Sequence, residues 1–531
     1  MDKTIGLIDS LCMATYCLVL LGIALYHSRK LKSQDDIFLA GRSMSHWPIA
    51  VSMYMALFST NTLLGSTGWV NRPNGTIWIG LPTFGILLAV PLVVYLYPAL
   101  FFRLRITSAY EYVDRRFNHT VRSTAVLFFL GARLMWMSTI LYSASLVVSM
   151  MMGWTPMNGF PHGQLRAILI IGCLATSFAL LGGMHAVIWT DVLQFGVLLG
   201  GLITVVMLGL SNSGGVSSVL HVGLDNGRFT FPKIFSLTDD LSLSGGILLG
   251  FVGMLANSGA DQVLLQQYLT ARSERAAKAA LWRNGMFLKP VSLIYPLIGL
   301  ILFAYYRGHP EVARLMRIPD DALPVFVVHV FPTGARGFMT IAMIAGVLTS
   351  MQSGLAAVSA SIQVNYVKRW VARPLSGRVS VLLARSLLLI AGLTVIGAAC
   401  VVQRLGQHNS VIQVLNMVMY PFTGVLLGIF LLGILSRRAN SAGVLIGSVA
   451  GLFATVVFPL SQMLASSIHS PILLYAGEIS TFYYAFIGAV TTLGAGYAAS
   501  LPFAPPSITK VRGLTRFSLP EPVATVAPDA S

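Results

Sequence analysis

The sequence predicts an all-α protein that crosses a membrane many times, and three observations support this. Hydrophobic residues make up 55% of the 531 residues and charged residues only 10%, whereas about 25% charged residues is typical of soluble domains. Apolar runs of roughly 20 residues, the length of a membrane-spanning helix, recur along the chain. Lysines and arginines concentrate in alternate connections between these runs.

Thirteen apolar runs predict about thirteen transmembrane helices in a single domain of residues 1–501. They lie near 7–27, 46–70, 76–102, 123–152, 165–182, 187–210, 242–269, 285–306, 335–367, 380–403, 409–435, 440–463 and 479–501. The first run is longer than a signal-peptide core and lacks a small-x-small cleavage site, so we expect an anchor helix. The Pro-, Ala- and Ser-rich tail, 502–531, is predicted to be disordered.

The basic residues indicate the orientation of the chain. With the N-terminus outside, about 22 of the 35 lysines and arginines fall on inward-facing segments, as the positive-inside rule expects. An odd number of helices then leaves the C-terminus in the cytoplasm. Membrane topology thus accounts for the net charge of +17, and we expect no nucleic-acid partner. Without a zinc-helix, phosphate-loop or nucleophile motif, we do not expect an enzyme.

The span 335–367 carries hydroxyl groups, which hydrocarbon does not favour. Gly346, Thr349, Ser350 and Ser353 stand at i, i+3, i+4 and i+7, so they share one face of a helix. Such a face can let a neighbouring helix approach closely, or it can present oxygen ligands to a cation without its water shell. These residues alone leave both interpretations open.

The second span is polar in its middle, at residues 58–66, where an unbroken membrane helix would be apolar. This composition is typical of the discontinuous helices that bind ligands at mid-membrane depth, because a break frees backbone groups. A polar helix-packing patch is the alternative.

Arg133, Asp261 and Lys289 are charged residues within predicted spans. Arg133 is about ten residues into the fourth span, on the order of 15 Å deep, where an arginine costs about 2.5 to 3.5 kcal/mol. It should therefore bind a carboxylate, which guanidinium groups hold bidentately, or form a structural ion pair with an unidentified acid. We expect Asp261 and Lys289 to pair with each other in a structural or gating role, with direct solute contact as the alternative.

Five sequence blocks, in order along the chain, resemble the sodium:solute symporter family. They are residues 40–43, 105–117, 182–194, 320–326 and 426–440. The resemblance implies the inverted-repeat fold of leucine-type transporters, with five helices repeated upside down at about 46–210 and 242–435. One extra helix precedes the repeats and two follow them.

The resemblance also implies a main sodium site, with Na+ as the coupling ion. Its ligands would be the backbone carbonyls of Met55, Phe58 and Gly346 and the hydroxyls of Thr349 and Ser350.

Some family members carry a second sodium site, and Asp191 and Ser353 match two of its positions. Gln352 stands where those members have another serine, which departs from the pattern. A solvated or paired carboxylate is the alternative for Asp191.

Members that carry organic acids, sialic acid transporters among them, have an arginine matching Arg133 and hydroxyls matching Ser59 and Thr62. The predicted function is therefore sodium-coupled uptake of a small organic solute, an organic anion such as sialic acid or a monocarboxylate, by alternating access. We expect a cell-membrane protein that works as a monomer in the lipid bilayer. A sodium symporter for a neutral amino acid, sugar or polyol is one alternative, and a membrane-embedded nutrient sensor is another.

Overall fold

The computed structural model describes residues 5–29, 34–154, 159–160, 162–181, 183–367, 377–405, 411–464 and 471–518. Most of these residues are helical, and the β-structure found in them is one isolated bridge between Met44 and Ala271. The prediction of an all-α protein is confirmed.

The first half of the chain contains twelve α-helices before the second break described below. They are α1 (Leu7–Ser28), α2 (Gln34–Leu39), α3 (His46–Leu57), α4 (Thr60–Val70), α5 (Leu81–Leu96), α6 (Pro98–Leu104), α7 (Ala109–Arg116), α8 (His119–Met151), α9 (Gly163–Leu181), α10 (Met184–Asn212), α11 (Gly215–Asp225) and α12 (Leu243–Gly259).

The second half continues with eleven more. They are α13 (Gln262–Tyr268), α14 (Glu274–Arg283), α15 (Ile294–Gly308), α16 (Pro310–Ala313), α17 (Ala322–Val330), α18 (Ala335–Ile362), α19 (Gly377–Leu405), α20 (Val411–Leu435), α21 (Ser441–Leu464), α22 (Pro471–Glu478) and α23 (Tyr484–Ser500).

Within the described ranges, nine helices are long and apolar enough to cross a membrane, or ten if one bent pair counts as a single span. The predicted count of thirteen stays a prediction. Part of the difference has a simple cause, since the second predicted span is divided into α3 and α4, which are 12 and 11 residues long. The final predicted span contains α23, which has 17 residues.

The predicted discontinuity in the second span is confirmed at Phe58 and Ser59. Both residues have extended backbone angles, with ψ of 134° and 151°. The Ser59 hydroxyl accepts a hydrogen bond of 3.2 Å from the Thr62 N–H and so caps α4. The Phe58 N–H donates to the Tyr54 carbonyl at 2.8 Å and to the Met55 carbonyl at 3.1 Å, and the last carbonyls of α3 have room for further partners outside the helix.

A second break separates α12 from α13, whose axes differ by 61°. Asp261 caps α13, because its Oδ1 accepts a hydrogen bond of 2.7 Å from the Val263 N–H. Near the middle of the following span, a π-helical segment, Asn284–Leu288, and a 3₁₀ segment, Lys289–Leu293, lie between α14 and α15. Lys289 therefore lies where the helix changes its winding.

The N-terminal helix is attached to α18 through one buried carboxylate. Asp9 Oδ1 accepts hydrogen bonds from the backbone N–H groups of Gly334, at 2.7 Å, and Gly337, at 2.8 Å. Its Oδ2 accepts a third from the Gly6 N–H, at 3.1 Å. A Cβ on Gly337 would lie 2.6 Å from the Asp9 carbonyl oxygen, so only glycine allows this approach. Asp9 thus caps the helix that carries the hydroxyl face.

The prediction of a disordered tail is wrong for residues 504–518. Leu514 is buried, and its carbonyl accepts a hydrogen bond of 3.0 Å from the Tyr112 hydroxyl. Arg437 donates to the Phe517 carbonyl at 2.7 Å, and the Arg516 guanidinium lies 4.0 Å from the Tyr95 ring centre. These contacts order a segment whose average composition favours disorder. Residues 519–531 lie outside the described residues.

We expect the substitution Asp9→Ala to lower the free energy of unfolding by about 1 to 3 kcal/mol, because three backbone donors lose a buried acceptor. Asp9→Asn keeps one acceptor oxygen and should have an intermediate effect. Thermal unfolding of the purified protein measures both, with Ser10→Ala, an exposed neighbour, as the control. Equal melting temperatures for Asp9→Ala and the control would contradict this role.

Candidate functional site

A cavity of about 250 Å³ lies beside the break in the second span. Hydroxyl, amide and aromatic side chains line it, among them Ser59, Thr62, Ser66, Asn257, Tyr54, Trp136 and Tyr295. Arg133 and Lys289 also line it, and no carboxylate is among its described lining residues. The cavity is therefore positively charged and rich in hydrogen-bonding groups.

The five predicted sodium ligands come together next to this cavity. The Thr349 hydroxyl donates to the Met55 carbonyl at 3.2 Å and to the Gly346 carbonyl at 3.1 Å. The Ser350 hydroxyl donates to the Phe58 carbonyl at 2.8 Å. All five residues are buried. Carbonyl oxygens at the break in the second span and hydroxyl oxygens of α18 thus lie together where these two elements meet.

This donor set suits a sodium ion. Neutral carbonyl and hydroxyl oxygens are the ligands that unwound transporter helices offer to Na+. A hydroxyl can rotate its hydrogen away from a carbonyl and turn its lone pairs toward a cation. Thr349 and Ser350 could therefore exchange their present hydrogen bonds for metal coordination without a change of backbone.

Close packing and cation coordination occur on the same face of α18. A Cβ on Gly346 would lie 2.7 Å from the Phe58 ring, too close for any side chain. The glycine lets α18 approach the break, and this approach brings the hydroxyls one turn further along to the freed carbonyls. The two interpretations left open by the sequence are thus compatible.

The residues predicted for a second sodium site bond to different groups. Asp191 Oδ2 accepts a hydrogen bond of 2.5 Å from the Ser52 hydroxyl, and its Oδ1 has no hydrogen-bond partner. The Ser353 hydroxyl donates to the Thr349 carbonyl at 2.9 Å. Gln352 Oε1 accepts a hydrogen bond of 3.3 Å from the Thr190 hydroxyl of α10. The second sodium site stays a prediction.

Arg133 reaches the cavity from α8 and is 2% exposed. Its Nη1 lies 3.7 Å from Asp261 Oδ2, and its guanidinium carbon lies 4.1 Å from the centre of the Trp136 ring. Ser59 and Thr62, the other two predicted solute-binding residues, line the same cavity, and their hydroxyl oxygens are 3.0 Å apart. The three predicted residues therefore share one chamber.

The predicted pairing of Asp261 with Lys289 is wrong. Asp261 faces Arg133 instead, whereas the Lys289 ammonium lies 5.3 Å from the centre of the Tyr54 ring. Both residues occur near breaks in helix geometry, so their directions could not be deduced from regular helical spacing. Asp261 is thus the acid near Arg133 that the sequence left unidentified. Lys289 is a second positively charged residue that lines the cavity.

Several residues around the site were missed by sequence reasoning. The hydroxyl oxygens of Tyr54 and Tyr295 are 2.5 Å apart, and the Phe58 ring packs near both side chains. Trp136 supports the guanidinium of Arg133. Aromatic residues in apolar spans look like ordinary core, so their pattern holds no signal that would single them out.

The chain is similar to known transporters over most of its length. The model of the sodium:solute symporter family matches residues 37–451. The sodium/sialic acid symporter SiaT of Proteus mirabilis is 26% identical over 505 residues, or 94% of this chain and 96% of that protein. Sodium-coupled monocarboxylate transporter 1 of Homo sapiens is 27% identical over 424 residues, 79% of this chain and 67% of that protein.

One solved structure has a similar fold along nearly the entire chain. It is described as the substrate-bound outward-open state of a Na+-coupled sialic acid symporter that reveals a novel Na+ site. The TM-score is 0.82 at 25% identity, with 94% of this chain and 99% of that chain covered. The leucine-transporter-like fold that the resemblance implied is thereby confirmed, although the exact helix count is not.

We expect Thr349→Ala and Ser350→Ala each to raise the sodium concentration needed for half-maximal thermal stabilisation by about tenfold or more, because each removes one oxygen ligand from a buried cation. Thermal unfolding of the purified protein across a NaCl series, with choline chloride holding ionic strength constant, measures this shift.

Thr340→Ala is the matched control, because this hydroxyl on the same helix bonds only to the Arg336 carbonyl of its own helix. An identical sodium response in all three variants and the parent would contradict the proposed ligands.

Proposed function

This chain belongs to the sodium:solute symporter family, and from that membership we propose that it couples sodium entry to the uptake of an organic anion. The family consists of sodium-coupled transporters rather than enzymes. Sodium as the coupling ion is shared with the relatives described above, one named for sialic acid and one for monocarboxylates. The anionic class of the solute is the proposal for this chain.

The observation that carries the proposal is the charge of the cavity. Arg133 and Lys289 line it, and the acid that approaches Arg133, Asp261, lies outside the lining. A cavity with two cations stabilises a carboxylate and repels a cationic solute. The guanidinium can bind a carboxylate with two parallel hydrogen bonds, and the hydroxyls of Ser59 and Thr62 supply further polar contacts.

Sodium and solute would be coupled through adjacent residues of one break. The Phe58 carbonyl is a proposed sodium ligand, and Ser59, the next residue, lines the solute cavity. A cation bound to the Met55 and Phe58 carbonyls would hold the break in one conformation and so preorganise Ser59. Sodium binding should therefore raise solute affinity, and solute binding must raise sodium affinity by the same factor.

Transport would proceed by alternating access, in which the broken helices rock against the rest of the protein around the occupied site. The distribution of basic residues supports an N-terminus outside the cell membrane and a C-terminus in the cytoplasm. We propose that one chain is sufficient, since all the residues named for both ligands belong to it. With a monovalent anion and one sodium ion, the net charge moved would be zero; a second sodium at Asp191 and Ser353 would make transport electrogenic.

A neutral sugar, polyol or amino acid is the second candidate solute, and the hydroxyl and amide groups of the cavity favour it. Ser59, Thr62 and Asn257 can all hydrogen-bond an uncharged molecule. A sugar or polyol would not need Arg133, whereas the carboxylate of a zwitterionic amino acid could still bind it.

The proposal is tested by screening organic acids, neutral amino acids and sugars for thermal stabilisation of the purified protein, in NaCl and in choline chloride. An organic anion that stabilises the protein only with sodium is the expected result. Uptake of the same anion into proteoliposomes would exclude a sensor that binds without transport. Stabilisation by neutral solutes alone would contradict the anionic class.

We expect Arg133→Gln to weaken binding of the stabilising anion by about 30-fold or more, because a charged hydrogen bond to a buried carboxylate contributes about 2 to 3 kcal/mol. Isothermal titration in saturating sodium measures the change. Arg314→Gln, at an exposed position, is the control for loss of a positive charge. Unchanged affinity in Arg133→Gln would rule out this residue as the carboxylate ligand.

A further inference from the structure

The ion pair between Arg133 and Asp261 connects an unbroken helix to a broken one. Arg133 belongs to α8, which runs for 33 residues without interruption. Asp261 lies in the break between α12 and α13, where the chain bends by 61°. Broken helices are the elements that move during alternating access, so this contact joins a moving segment to its support.

The ion pair leaves part of the guanidinium unused. The closest approach, from Arg133 Nη1 to Asp261 Oδ2, is 3.7 Å, which exceeds hydrogen-bond distance. Arg133 Nε and Nη2 are buried and have no hydrogen-bond partner. Buried arginine donors are normally satisfied. Asp261 therefore offsets the charge of Arg133 while leaving two donors free for another acceptor.

Arg133 also separates two chambers. It lines the solute cavity of about 250 Å³ and a smaller pocket of about 20 Å³, whose lining includes Asp261 and Thr423. The lining of the small pocket includes Phe129, on the N-terminal side of Arg133 in α8, and Asp261, next to α13. Basic residues cluster just before α8, at Arg115 and Arg116, and just after α13, at Arg272 and Arg275, and these two segments are the basic loops. A solute that passes from the cavity toward these loops meets Arg133 first.

We propose that Asp261 and the carboxylate of the solute compete for Arg133, so that this guanidinium exchanges partners during transport. The proposal rests on the function proposed above. Without solute, Asp261 neutralises Arg133 and holds the broken helix against α8. A bound carboxylate takes the free donors, and its repulsion of the Asp261 carboxylate favours separation of the two helices. The path toward the basic loops then opens only when the cavity is loaded.

The competition also explains how the solute can leave. A carboxylate bound to a fully desolvated arginine would be released slowly, because its departure would leave the buried guanidinium charge without a partner. Return of the Asp261 carboxylate supplies a replacement partner at the moment of release. Asp261 is thus a positioning residue that acts through Arg133 and does not itself contact the solute.

The test combines solute binding with a measurement that needs no solute. Thr423→Cys places a thiol in the small pocket, and its modification by a hydrophilic maleimide, relative to the protein without this substitution, reports opening toward the basic loops. In saturating sodium without solute, Asp261→Asn should raise the labelling rate by about fivefold or more, because the helix contact loses its charge attraction. Asp261→Glu should keep the rate low.

The same variants separate affinity from turnover. With sialic acid as the probe, Asp261→Asn should bind about tenfold more tightly in sodium, since the competitor is gone, and should transport more slowly in proteoliposomes. Asp239→Asn, which removes an acid from an exposed ion pair with Lys233, should match the parent in every measurement. If sialic acid does not bind the parent, the anion found in the thermal screen replaces it.

Unchanged or weaker solute binding in Asp261→Asn, or an unchanged labelling rate, would overturn the proposed competition while leaving the anion transport function intact. Failure of every organic anion to bind the parent would instead overturn the proposed function. Should Asp261→Asn fail to fold, the double variant Arg133→Gln with Asp261→Asn leaves no unpaired charge. Its labelling rate must rise without solute, and an unchanged rate would overturn the inference.

Discussion

A helix that breaks inside a membrane must satisfy its freed backbone groups with protein, because hydrocarbon supplies no hydrogen bonds. At the end of α3, the Phe58 carbonyl accepts a hydrogen bond from the Ser350 hydroxyl of α18. The Met55 carbonyl accepts from the Phe58 N–H and also from the Thr349 hydroxyl. The contact requires Gly346, which lets the helix approach the Phe58 ring. The same oxygens suit a sodium ion, so the arrangement that tolerates the break also creates the cation site.

The placement of charges depends on this break as well. The cavity lies beside α4, and Arg133 and Lys289, which come from separate spans, both line it. A cation buried in a membrane protein needs a partner or a functional role. Asp261 supplies only a distant partner for Arg133. A carboxylate solute would accept hydrogen bonds from the Arg133 donors that have no partner. Burial of this arginine would therefore favour transport of solutes that carry a carboxylate.

Local pattern was sufficient for much of this architecture. Apolar runs located most spans, and the i, i+3, i+4 spacing of Gly346, Thr349 and Ser350 identified their shared face, because a regular helix converts spacing into direction. The polar stretch 58–66 indicated the break. The same reasoning failed for Asp261 and Lys289, since a bend and a π-to-3₁₀ transition change the direction of each side chain. Composition likewise missed the ordered segment 504–518, which is held by contacts with Tyr95, Tyr112 and Arg437, all distant in sequence.

The sequence by itself determined that this protein is an α-helical membrane protein, where its second predicted span breaks, and which family it belongs to. Those properties follow from hydrophobicity, helical periodicity and motif order, all of which are local along the chain. Only the tertiary structure decided that Arg133 faces Asp261, that Lys289 borders the cavity, and that Asp9 caps α18. These contacts join residues distant in sequence, and their geometry arises from packing between helices rather than from the pattern within any one of them.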